Sequence, residues 1–187
     1  MKLTTFVIVF AALFLFQGYG VAAPPSKSET LHSWDTKIDD ATKRFRVLGD
    51  FNNEAVLDRE TGLVWERSPL TTTHQWSRAR HQCTNRTTGG RRGWRLPSVH
   101  ELATLLDPNN PEGNPDLPAG HPFDPTAVQS ATYWSATTDA NRPADVAAFI
   151  LPGVWIVNFD IFPPDIDDPT SSFFVWCVRG GMNADAY

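Results

Sequence analysis

Two cysteines, two methionines and, between Arg67 and His100, not one acidic side chain: the scarcities of this 187-residue chain come first. Two thiols cannot make the bridge network of a small disulfide-dense module, nor a four-thiolate metal site. Long apolar runs are scarce too. The longest, Phe6 to Phe16, is about 11 residues where a bilayer-crossing helix needs about 20. Missing as well are a phosphate-cradling glycine loop, a dinucleotide fingerprint and a serine nucleophile elbow. The five histidines, His32, His74, His81, His100 and His121, are dispersed and give no zinc-ligand spacing. The expectation is a chain that is not an enzyme, with no catalytic residues, no cofactor and no metal centre.

What the chain does contain is aromatic mass. Hydrophobic residues are 41 % and aromatics 12 %, with seven Trp, enough to build a packed core. Fifteen Pro and 12 Gly predict many turns and few long elements, which excludes a helical bundle.

Lys2, the apolar run and the small residues from Gly18 to Ala23 follow the order of a secretory leader, with cleavage expected after Ala22. An uncleaved anchor is the alternative. Residues 1–22 are therefore read as signal peptide, 23–44 as a linker and 45–187 as the domain of an exported protein, periplasmic or extracellular, with no membrane span after cleavage. Losing Lys2 takes the 16 basic residues to 15 against 21 acidic, a net charge of about −6, which argues against nucleic acid as a partner. In an oxidising compartment Cys83 and Cys177 have one possible pairing, closing a loop of about 95 residues worth roughly 4 kcal/mol. Two free buried thiols are the alternative.

Short strands are expected at Arg46–Leu48 and Ala55–Asp58, and a turn at Thr61-Gly62 before Leu63–Trp65 makes a hairpin. A threonine run is expected to cap a helix from about His74 to Cys83. Ser98 followed by Glu101 has the capping-box form and opens a second helix that Asp107-Pro108 stops. Residues 108–125, broken by six prolines, are a long loop and a candidate site rim. Further strands are expected at Thr132–Ala136, Asp145–Ile150, Val154–Phe159 and Phe173–Arg179. The last is apolar on both faces and so expected to be central.

These pieces occur in a recognisable order. Asp58, Thr61, Gly62 and Trp65 are followed by Trp76, Ala79 and Cys83. Trp94-Arg95-Leu96-Pro97 comes next, then Trp134-Ser135 and finally Cys177 with Arg179-Gly180. The ordered set resembles the Lcl C-terminal-like domain family over roughly residues 50–181. The resemblance implies an α+β, C-type-lectin-like fold: twisted antiparallel strands, two helices, long loops and one disulfide. It also implies a bacterial, exported, adhesion-type binding role associated with sulfated glycosaminoglycans, although the collagen-like stalk of the name-giving adhesin is lacking here.

Residues 67–100 carry Arg67, Arg78, Arg80, Arg86, Arg91, Arg92 and Arg95 and no acid, whereas residues 101–187 carry two Arg against 12 acids. Guanidinium forks suit sulfate or phosphate oxygens. Arg78, Arg86, Arg91 and Arg92 are therefore the candidate ligand contacts, with Trp155 as a sugar-stacking ring and Gly89-Gly90 allowing close approach. The alternative is internal neutralisation, with Arg95 as a structural ion-pair member. Asp160, Asp165, Asp167 and Asp168 could hold a calcium ion, though a solvated loop is the favoured reading. The function expected is a glycan- or polyanion-binding module. A docking domain for another envelope protein, with no glycan ligand, is the alternative.

Overall fold

The computed structural model describes residues 37–107, 110, 115–142, 152–160 and 164–180. The chain is α+β, with two sheets, few helices and one disulfide. It opens with one helical turn, α1 (Ala41–Arg44), capped by the Asp40 carboxylate. The short strand β1 (Phe45–Val47) follows directly. Although Ala41–Arg44 fall in the expected linker, Arg44 is buried and forks onto Asp58, with Nε–Oδ1 3.0 Å and Nη2–Oδ2 2.8 Å.

The expected hairpin is present as β2 (Ala55–Asp58) and β3 (Val64–Glu66). Gly62 at φ 73° supplies the left-handed turn residue, and its N–H donates to the Asp58 carbonyl. The first sheet runs β1-β2-β3-β9, where β9 is Val178–Arg179. The second contains β4 (Leu70–Gln75), β5 (Thr132–Thr138), β6 (Val154–Asn158), β7 (Asp165–Asp167) and β8 (Ser172–Val175), in the order β4-β8-β5-β6-β7.

Two expectations need correction. The threonine run is strand β4 rather than a cap, because β-branched residues favour the extended backbone and pair here with β8. Helix α2 starts only at Trp76 and runs to Thr84. The final segment is not one strand either. It breaks at Trp176-Cys177 into β8 and β9 (Val178–Arg179), one in each sheet. Its two apolar faces reflect passage between sheets: Trp176 packs in one core cluster and Cys177 in the other. β8 is central, between β4 and β5, whereas β9 pairs only with β3 among the named strands.

Helix α3 (Val99–Ala103) carries the full capping box between Ser98 and Glu101. The expected strand at 145–150 lies outside the described residues, as do positions 108–109 and 111–114 of the long loop. The rest of that loop is anchored, with Leu117 and Phe123 buried. Trp176 sits among Trp65, Phe123, Tyr133 and Phe159 at centroid separations of 4.9–5.8 Å. Such aromatic pairs contribute about 0.5–1.5 kcal/mol each beyond their buried area. The Cys83–Cys177 bridge ties the end of α2 to the β8–β9 junction, with both residues fully buried.

Candidate functional site

Helix α2 ends beside the disulfide and leads into a turn of residues 86–94 fastened nearly residue by residue. The Arg86 N–H donates to the Cys83 carbonyl at 3.0 Å and the Arg91 N–H to Thr88 at 3.2 Å. Thr88 Oγ1 donates to Glu66 Oε1 at 2.7 Å, and the Gly89 N–H to Glu54 Oε2 at 2.7 Å. Trp94 Nε1 donates to the Arg91 carbonyl at 3.0 Å, and Arg179 Nε to that of Arg92 at 2.8 Å. A turn held at both ends and against the first sheet needs little backbone ordering on binding.

Gly89 takes φ +64° and rests on Phe51, whose Cβ and Cα would lie 2.6 and 2.8 Å from an added Cβ. The close approach expected of this glycine is therefore to its own chain. Phe51 is also the platform for the cations, since the Arg91 and Arg179 guanidinium carbons lie 5.6 and 5.9 Å from its ring centroid. Sharing one ring, the two charges cannot be further apart than twice the larger of these distances. Sequence reasoning missed Phe51. It sits in a single 3-10 turn (Gly49–Phe51), where no periodicity marks it.

The seven arginines of the acid-free block divide. Arg95 turns inward and forks onto Glu101 at 2.6 and 2.7 Å, also donating to the Gly180 carbonyl. Burial would raise the Glu101 carboxyl, but Arg95 and Ser98 hold it below its ordinary value. Arg67 donates to the Pro122 carbonyl. Arg86 comes within 3.0 Å of the buried Glu66. The other four, Arg78, Arg80, Arg91 and Arg92, are exposed, and among the described residues none has an acid within ion-pair distance. Arg78 stands on α2, and Arg80 lies over the Trp76 ring at 4.9 Å.

Trp155 is half-buried on β6 against the core, and Ser135 Oγ donates to its carbonyl. Among the described residues the rings that meet exposed guanidinium groups are Phe51 and Trp76. In the acidic segment Asp165–Asp167 form β7, while the Asp167 and Asp168 carboxylates accept from Ser171 and Thr170. Among the described residues no three His, Cys, Asp or Glu side chains group as a metal site.

Below the turn opens a cleft of about 520 Å³ lined by Asn53, Glu54, Glu66, Arg67, Ser68, Arg86, Thr88, Asp124 and Pro125. The last two come from the proline-broken loop expected to form a rim. At its floor Glu66 is 1 % exposed. It accepts from Thr88 and, at 3.2 Å, from the Cys177 N–H. Burial pushes its carboxyl above the ordinary value, against the pull of Arg86 and these donors. Sequence reasoning missed it, although Glu66 immediately precedes the acid-free block, where an unmatched carboxylate would find cations.

No curated protein matches the chain. The family model described as the Lcl C-terminal domain matches residues 54–179, which take in the turn, the disulfide and most of the cleft, and the chain belongs to that family.

Proposed function

We propose that this chain is an exported, non-catalytic binding module of C-type-lectin-like fold, and that it holds a sulfated or otherwise polyanionic glycan on the Arg91-Arg92 turn, with Arg78 on α2 as a further contact. One observation carries this reading: Arg91 and Arg92 are exposed and unmatched by any acid among the described residues, on a turn otherwise fastened throughout. Two adjacent cations held in place repel one another. An oligoanion relieves that repulsion and gains charge-assisted hydrogen bonds. Arg86 leaves the original set because its charge is directed at Glu66. The leader-like N-terminus and the disulfide support export. The locked pair of cysteines supports a binding role over thiol chemistry.

The test is retention on immobilised heparin. Each exposed guanidinium is worth on the order of 1 kcal/mol, so Arg91→Ala with Arg92→Ala should weaken binding about 30-fold at low salt. Retention should vanish toward 1 M salt, where the screening length falls to about 3 Å. Arg46→Ala with Arg59→Ala removes the same charge elsewhere and should cost far less. Equal losses in the two double variants, or none in either, contradict the assignment.

A further inference from the structure

We propose that the Glu66 cleft is a second ligand site, independent of the cationic turn, and that it takes a zwitterion: a free amino acid or the charged end of a peptide. Its volume, about 520 Å³, falls within the range of about 300–1,000 Å³ usual for small-molecule sites. Arg86 carries the argument. Its buried Nε lies 3.0 Å from Glu66 Oε1 without the alignment of a hydrogen bond, and among the described residues the guanidinium places none of its N–H groups in one. The four Nη N–H groups, on a cation already matched in charge by Glu66 and without hydrogen bonds among the described residues, form a planar fork at the cleft for a ligand carboxylate.

Two further carboxylates of the lining select the other end of the ligand. Glu54 spends Oε2 on the Gly89 N–H and leaves Oε1 without a hydrogen bond among the described residues. Asp124 accepts from Thr126 and Ser68, bonds that hold its carboxyl below the ordinary value and keep it charged at neutral pH. The lining sets Glu54, Glu66 and Asp124 against Arg67 and Arg86, a net charge of −1 (two positive, three negative), which disfavours a polyanion such as the ligand of the Arg91-Arg92 turn. Among the described residues no aromatic ring lines the cleft, so the apolar face of a sugar finds no stacking partner there. A carboxylate against Arg86 with an ammonium group against Glu54 and Asp124 satisfies both sets of groups.

The experiment titrates the disulfide-intact chain with glycylglycine, N-acetylglycine, glycine ethyl ester and glucose, following amide chemical shifts. Glycylglycine should bind saturably, with shifts at Glu54, Glu66, Arg86 and Asp124, and each singly blocked probe at least tenfold more weakly. Asp124→Asn makes no contact with the turn and keeps an acceptor oxygen for Thr126 and Ser68. It should cut the preference for glycylglycine over N-acetylglycine at least threefold without weakening heparin retention, which separates this site from the cationic turn. N-acetylglycine binding as tightly as glycylglycine, glucose binding in their place, or no saturable binding of any probe overturns the proposal.

Discussion

Replacing both bridged cysteines, Cys83→Ala with Cys177→Ala, should cost this fold about 4–5 kcal/mol. The figure follows from position. The bridge spans 94 residues of sequence, so its loss returns to the unfolded chain the freedom of nearly the whole stretch from α2 to β9. Two alanines fit the vacated space without new polar groups, and the Cα atoms, 5.4 Å apart, need not move. Part of the same junction is also held without covalent help, since Glu66 accepts from the Cys177 N–H and from Thr88. The variant should therefore unfold earlier yet still fold. With a urea slope of about 2 kcal/mol/M, the midpoint should fall by roughly 2 M, with a slope that rises somewhat because the unlinked unfolded chain exposes more surface. That is a large part of the roughly 5–15 kcal/mol that holds a domain together. A fall of less than about 1 kcal/mol at an unchanged slope would refute the view that the bridge is the principal tie between the turn and the sheets.

Two further outcomes are expected. Gly89→Ala forces an alanine into φ +64° with its Cβ 2.6 Å from that of Phe51, which should cost about 3 kcal/mol and, by displacing Phe51, weaken heparin retention; an unchanged urea midpoint contradicts the packing described. Glu66 binds its proton more tightly folded than unfolded, so its contribution is fully present below its ordinary value of 4.5 and is lost as pH rises through the raised folded value. Glu66→Gln cannot titrate, and the stability difference between it and the wild type should move in favour of glutamine from about pH 4 to about pH 8; parallel curves over that range contradict the burial argument.

Local signals were legible where one residue sets the backbone. Gly62 marked the β2–β3 hairpin and the Ser98–Glu101 pair marked α3. The two cysteines could pair in only one way, and they do. What escaped depends on partners distant in sequence. The apolar run from Phe173 to Arg179 reads equally as one central strand or as two short strands changing sheets, and the pairing of β9 with β3, with the Trp176 and Cys177 N–H groups donating to Glu66, decides between them. The same holds for the site. The acid-free block was visible as a charge pattern, but which arginines turn inward depends on Glu66 and Glu101, the acids that bound the block on either side. Phe51, Glu54 and Asp124 reach the turn and the cleft only through folding, and no spacing in the chain connects them.

The central claim, that the fastened Arg91-Arg92 turn is the polyanion-binding surface, is tested most directly by mapping amide chemical shifts of the chain titrated with a heparin-derived hexasaccharide. The prediction is that the largest shifts fall on Phe51, Arg91, Arg92, Gly93 and Arg179, and shrink as salt is raised. Largest shifts at Trp155 or in the Glu66 cleft, or shifts indifferent to salt, would contradict it.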